Sequence, residues 1–264
     1  MSAIPLTLVQ TGRPSFAHCP SALRWQQHQA DLAYCYFDDA ACRAFLAQHL
    51  SERVACAFDG LRPGAFKADL FRYAYLFVRG GVYVDLDMTP IAPLSAVLAK
   101  HATAQLLACT ERPGIRGVWQ GFLASVPGLT PLKWAVDRIV HHVETQYYPP
   151  DAPARGDSHA SFWEPILSLT GPVLLGRALA RHGAADGAAD GDLENWSFLR
   201  GGDHTVGSDL AVHLLAFDDH VREQSGELLI ADSAPDYAPH DSYAPLFLQR
   251  QVYAAPPLCA ENAR

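Results

Sequence analysis

The chain has 264 residues, 28 acidic and 20 basic side chains, a formal net charge of −8 and 49% hydrophobic content. That length buries one large core, and the acidic balance argues against general nucleic-acid binding, which needs a basic footprint. No apolar run is long enough for a membrane-spanning helix, and the first ten residues lack the basic start and small-residue cleavage site of a secretion signal.

Residues 4–10 read as a buried strand, closed by the turn Thr11-Gly12-Arg13-Pro14. A short helix over 23–29 and an aromatic-rich strand over 32–37 follow. Asp38-Asp39 then starts a helix over 40–50. This alternation predicts an α/β sheet with parallel pairs. Residues 65–79 carry no internal Gly or Pro, and Leu70, Phe71, Ala74, Tyr75 and Val78 repeat at helical spacing. Gly80-Gly81 supplies the stop. A strand over 82–88 comes next, with Val82, Val84, Leu86 and Met88 on one face and Tyr83, Asp85 and Asp87 on the other. Beyond Pro90 a helix is expected over 92–100, a strand over 103–110 and a helix over 131–147. Thr170-Gly171-Pro172 precedes a last helix to about residue 181. The Gly/Ala/Asp run at 183–191 reads as a surface loop. The six cysteines form no CxxC pair, so they read as reduced thiols of a cytoplasmic protein, and tight zinc-ligand spacing is missing.

Asp85 and Asp87 are the most informative pair. Two neighbouring carboxylates repel unless a cation intervenes. Hard oxygen ligands suit Mn²⁺ or Mg²⁺, and such ions commonly combine one or two carboxylates with substrate phosphates. A short DxD triplet is a weak signal by itself. Here it ends a Val/Tyr-rich strand, where loose charges are costly. Asp69 and Arg72 lie three apart on one helix face, as a local ion pair or as a clamp on a sugar. Lys67 begins that helix, either solvated or reaching a phosphate. Tyr83 shares the aspartate face.

The run Lys67-Ala-Asp-Leu-Phe-Arg-Tyr73, followed by Gly80-Gly-Val-Tyr-Val-Asp-Leu-Asp-Met88, resembles the DxD-containing glycosyltransferase sugar-binding family. This is glycosyltransferase family 32, which includes yeast outer-chain mannosyltransferases and bacterial polysaccharide-synthesis enzymes. Ile4-Pro5, Gln10-Thr11, Trp25 and the stretch 34–39 extend the likeness upstream; Thr170-Gly171-Pro172 extends it downstream. The resemblance implies a GT-A fold: a mixed, mostly parallel sheet flanked by helices in one domain over 1–264. The donor side would lie at about 1–110 and the acceptor side at about 111–264. It implies a retaining, metal-dependent hexosyl transfer from a nucleoside diphosphate sugar (a UDP-hexose or GDP-mannose) to a saccharide or glycolipid acceptor. Asp69 and Arg72 would hold the donor hexose, with Arg72 also easing charge on the leaving group. Asp85 would contact ribose and sugar, Asp87 the metal, and Tyr83 would line the pocket. Gln10, Thr11 and Lys67 are further donor-side candidates. The sequence departs from the family pattern in three places. Val9 and Gly12 stand where the family often has His and a base-stacking Trp; Gln120 stands in for an Asn; and His240 lies in a variant of a C-terminal His/Ser-Trp metal motif. Polysaccharide synthesis would place such an enzyme in the cytoplasm or at the inner face of a membrane.

Two other functions fit parts of the sequence. Residues 82–89 also match the DxDxT strand of haloacid-dehalogenase-like phosphatases, with Asp85 as nucleophile, Asp87 as general acid and Phe217-Asp218-Asp219 as a later acidic pair. That reading leaves Lys67 to Tyr73 without a role. A non-catalytic sugar-nucleotide-binding module is the other, motivated by Gly12.

Overall fold

The computed structural model describes residues 3–111, 115–150, 159–183, 201–218, 220–232 and 243–254. In chain order they form β1 (Thr7–Thr11), α1 (Pro20–His28), β2 (Ala33–Phe37), α2 (Asp39–His49), α3 (Glu52–Gly60) and α4 (Gly64–Arg79). Then come β3 (Gly81–Val84), β4 (Met88–Pro90), α5 (Leu94–Lys100), β5 (Leu106–Thr110), β6 (Val118–Ser125) and α6 (Thr130–Thr145). The last are α7 (His159–Leu167), α8 (Pro172–Gly183), β7 (Gly202–Val206), β8 (Leu210–Phe217), β9 (His220–Arg222), β10 (Leu228–Asp232) and α9 (Tyr243–Leu248).

Local chemistry sets the boundaries. Asp38 caps α2 by accepting from Ala41 N at 2.8 Å, and Ser51 caps α3 by accepting from Val54 N at 3.3 Å. Helix α4 ends at Gly80, whose φ of 65° only glycine adopts freely. Gly81 follows at φ 102°, where a Cβ would stand 2.8 Å from the Thr7 carbonyl oxygen. The two glycines therefore turn the chain directly from α4 into β3, laid against β1.

The strand order is β2-β1-β3-β6-β5-β8-β9-β10-β4, with β7 paired to β8. Pairs β1–β2, β1–β3 and β5–β8 are parallel. The other pairings are antiparallel, because β6 returns beside β5 and the C-terminal strands join as hairpins. The architecture is the mixed α/β sheet flanked by helices expected of a GT-A fold, but the sheet is mostly antiparallel where a mostly parallel one was expected. Alternate residues feed two cores. Val9 and Tyr83 enter one, under α2, α3, α4, α6 and α8; Leu8, Val82 and Val84 enter the other, with Trp25, Leu94, Val97 and Leu98. Among the described residues no helix is long and apolar enough to cross a membrane.

Two further expectations are corrected. The strand expected over 82–88 is interrupted: β3 stops at Val84, Asp85 to Asp87 turn, and pairing resumes at Met88 in β4. The two aspartates thus sit on a turn and not on one strand face. The thiols are not all reduced either: Cys19, Cys35, Cys42 and Cys109 are free, but Cys56 is disulfide-bonded.

Candidate active site

The acidic turn is built by long-range hydrogen bonds. Met88 N donates back to Asp85 O at 3.3 Å, closing the turn, while Asp85 N donates to Gly121 O of β6 at 2.8 Å. Behind it, Gln10 Nε2 donates to the carbonyls of Val84 and Asp85, each at 3.3 Å. Ser21 Oγ donates to Leu86 O, and Trp25 Nε1 donates to Met88 O at 2.7 Å. Backbone carbonyls that leave a strand ladder must find donors; α1 and β1 supply them.

One face of α4 carries the rest. Asp69 and Arg72 are 5% and 4% exposed, so two ionisable groups are buried side by side. Arg72 Nη2 lies 3.2 Å from Asp69 Oδ1 and 3.2 Å from Asp85 Oδ1. Its Nη1 donates to Gln120 O, its Nε to Ala68 O, and its guanidinium packs 4.4 Å from the centre of the Tyr83 ring. Tyr83 Oη donates to Asp85 Oδ1 at 2.8 Å. Asp69 also accepts from Gln120 Nε2 and, at 2.6 Å, from Thr170 Oγ1. Tyr73 Oη donates to Gln120 Oε1 and fixes that amide's orientation.

The charges follow from these contacts. Burial pushes the Asp69 carboxyl up to about 6, against the pull of Arg72 and the Thr170 hydroxyl. Burial works against the Arg72 cation, but Asp85, Tyr83 and Asp69 together hold it above its ordinary value. Burial raises the Tyr83 hydroxyl well above the usual phenol range, so it stays a donor to Asp85.

Two clefts meet at this point, of about 430 and 570 Å³, and Ala65, Arg72, Asp85 and Asp87 line both. The larger runs past Thr11, Gly12, Phe16, Arg62 and Lys67. The smaller runs past Asp69, Trp119, Gln120, Trp163 and Tyr243. The turn therefore projects its two carboxylates into the seam between them. A divalent cation fits this donor set. Asp85 Oδ1 is taken by Arg72 and Tyr83, whereas Oδ2 faces Gly121, where a Cβ would stand 2.9 Å from it. Asp87 is half-buried on the same seam.

The structure brings Asp69, Arg72, Tyr83, Asp85, Asp87 and Gln120 together. Lys67 lines the larger cleft with Nζ 2.8 Å from Asp39 Oδ2. Thr11 lines it too, its hydroxyl donating to Phe37 O at 2.8 Å. Gln10 is corrected as a ligand contact: it is fully buried, its Oε1 accepts from Tyr34 and its Nε2 serves the turn, so it acts behind the site. His240 and Asp219 lie outside the described residues. Asp218 is exposed and accepts from Arg222 Nε at 3.2 Å. At Gly12 a Cβ would meet Tyr36 Oη at 2.6 Å and Leu86 Cδ1 at 2.8 Å, so a larger residue there requires those two side chains to move aside.

Sequence reasoning gave no role to Thr170, Tyr73 or Gly121. Thr170 and Tyr73 carried a signal, as the first residue of the Thr-Gly-Pro run and the last of the Lys67-to-Tyr73 run. Trp119 stacks on Phe217 at 3.9 Å and 14°, and Trp163 lies 5.9 Å from Tyr243, making an aromatic wall on the smaller cleft.

A buried arginine clamp thus stands beside an acidic turn at the seam of two clefts. The family described as "Glycosyltransferase sugar-binding region containing DXD motif" matches residues 20–104 of the chain. Over 72 residues the chain is 35% identical to an initiation-specific alpha-1,6-mannosyltransferase of Candida albicans; the match covers 26% of this chain and 19% of that protein's length. Among solved structures it is similar to the PaToxG glycosyltransferase, with 13% identity, a TM-score of 0.45, and 67% and 68% of the two chains covered. It is also similar to the UDP-bound glycosyltransferase domain of the YGT toxin, with 13% identity, a TM-score of 0.35, and 55% and 49% covered.

Proposed function

We propose that the protein is a metal-dependent, retaining glycosyltransferase that moves a hexose from a nucleoside diphosphate sugar to a saccharide or glycolipid acceptor. The observation that carries this reading is Arg72, fixed between Asp69 and Asp85 where the two clefts meet. The larger cleft takes the nucleotide, and its lining cations Arg13, Arg62 and Lys67 offset phosphate charge in a chain of net charge −8. The hexose lies at the seam, with its hydroxyls on the Asp69 carboxylate and the Arg72 guanidinium. The acceptor enters along Trp119, Trp163 and Tyr243, whose flat rings suit sugar faces. UDP- and GDP-hexoses are the first donors to test. This reading places the enzyme in the cytoplasm or at the inner face of a membrane, where glycolipid acceptors are made.

Asp87, with Asp85 Oδ2, would hold Mn²⁺ or Mg²⁺, which as a Lewis acid offsets the charge that develops on the departing diphosphate. Arg72 stabilises the same charge from a buried position that needs no reorganisation. Asp69 and Asp85 steady the electron-poor sugar ring. In a front-face route the bond from the anomeric carbon to the diphosphate oxygen breaks. The acceptor hydroxyl oxygen bonds to that carbon on the same face, and its proton passes to the leaving oxygen. No side-chain nucleophile is used.

The phosphatase reading fits less well, since β3 runs antiparallel to β6 and Asp85 is tied to Arg72 and Tyr83. The test is a panel of UDP- and GDP-hexoses with Mn²⁺, assayed for hydrolysis and for transfer to simple glycosides. Turnover of at least one donor, with none on p-nitrophenyl phosphate, is expected. Phosphatase activity without sugar release would refute the proposal.

A further inference from the structure

Three side chains distant in sequence converge on a different part of the sheet. His101 follows α5, His213 lies on β8, and Glu223 follows β9. Their nitrogen and oxygen donors all lie within 4.8 Å of one another. His101 Nε2 is 2.9 Å from Glu223 Oε1, and the imidazole rings stand 3.8 Å apart. The cluster is secluded, with the His101, His213 and Glu223 side chains 10%, 8% and 5% exposed. Along the sheet β8 is three strands from β3. At about 4.8 Å per strand this keeps the acidic turn out of reach.

His213 is the most telling member. Its Nδ1 lies 2.7 Å from Asp203 Oδ1. A carboxylate can only accept, so Nδ1 carries the proton and, in the neutral ring, Nε2 carries a lone pair. That Nε2 is buried and meets no hydrogen-bond partner. An orphaned nitrogen in the interior is costly, and this one belongs to a group of metal-ligating side chains. A carboxylate holding the far nitrogen of a histidine is also how metal-binding imidazoles are oriented. Lys100 Nζ shares Glu223 Oε1 at 3.2 Å, but its side chain is 52% exposed and can withdraw into solvent.

We infer that His101, His213 and Glu223 form a second metal site that takes Zn²⁺. Two imidazole nitrogens and one carboxylate suit zinc better than Mn²⁺ or Mg²⁺. Tetrahedral zinc places its ligand atoms about 3.3 Å apart, within small side-chain adjustments of the observed cluster. Water completes the fourth position. The ion joins the end of α5 to β8 and to the turn between β9 and β10, stapling the C-terminal hairpins onto the donor-side sheet. The site is independent of the proposed transferase activity.

The test is zinc titration of chelator-stripped protein against a chromogenic chelator. It is run on the Asp85→Asn/Asp87→Asn background, so that the acidic turn contributes nothing. One zinc per chain is expected, with affinity lowered about 100-fold by His213→Gln or Glu223→Gln and about tenfold by Asp203→Asn. Asp203 is 88% exposed, so that last variant keeps its fold. No zinc bound on the double-variant background, or equal binding in all three further variants, overturns the assignment. Where the buried substitutions fail to fold, the Tm of the double variant decides: a rise with Zn²⁺ supports the site and no rise overturns it.

Discussion

The Thr170 hydroxyl donates to Asp69 Oδ2 at 2.6 Å, across 101 residues of sequence. It ties the loop before α8 to the carboxylate on α4. Removing one donor from a buried carboxylate leaves part of its desolvation cost unmet, typically about 1–3 kcal/mol. Thr170→Val is therefore expected to lower stability by that order in urea denaturation and to raise the donor KM more than it lowers kcat. Unchanged stability and KM would show that Asp69 does not depend on this contact.

Arg72 is a harder position. Lysine keeps the charge but presents one compact ammonium in place of a planar fork, so it cannot serve Asp69, Asp85 and the Gln120 carbonyl together. Arg72→Lys is expected to fold and to lose about 100-fold or more in kcat/KM. Arg72→Met strands the buried Asp69 carboxylate and is expected to cost about 3–5 kcal/mol. A lysine variant with wild-type kinetics would remove Arg72 from the reaction.

Much of this arrangement was legible in the sequence. The apolar spacing of residues 65–79 and the Gly80-Gly81 stop gave α4 nearly to its ends, and with it the Asp69–Arg72 pair. Tyr83, Asp85 and Asp87 were grouped correctly, but on a strand. Alternation could not reveal the turn, because Gln10, Ser21 and Trp25 impose it from 63 to 75 residues away. Gln10 was misread for the same reason: nothing local shows that both ends of its amide are engaged. Strands β6 to β10 went unassigned: β7, β9 and β10 are short, and the eight-residue β6 and β8 are buried on both faces and so lack the alternation that marks a strand. The His101–His213–Glu223 cluster was invisible, since its members lie up to 122 residues apart.

Gly121 tests how closely the turn is packed. A Cβ there would lie 2.3 Å from the Trp119 ring and 2.9 Å from Asp85 Oδ2. Gly121→Ala must displace the indole or the carboxylate. A loss of about tenfold or more in kcat/KM is expected, with a changed tryptophan signal in near-UV circular dichroism and a native far-UV spectrum. Wild-type kinetics would mean that Asp85 tolerates displacement.

His142 supports the site from below and gives stability a pH dependence. Its Nδ1 donates to Leu169 O at 2.9 Å, next to Thr170, and burial lowers its pKa from 6.5 to about 4. The unfolded chain thus takes up the proton first as pH falls. Stability present above pH 6.5 is lost progressively towards pH 4, by up to about 3 kcal/mol. His142→Gln should flatten this part of the curve, and parallel curves for variant and wild type would contradict it.

The most direct measurement is calorimetric binding of nucleoside diphosphate sugars, with and without Mn²⁺, to the wild type and to Asp87→Asn. The account predicts a donor that binds the wild type only with Mn²⁺ and binds the variant at least tenfold more weakly, while the variant's Tm without ligand is unchanged. Equal donor affinity in both proteins, with or without the ion, would contradict it.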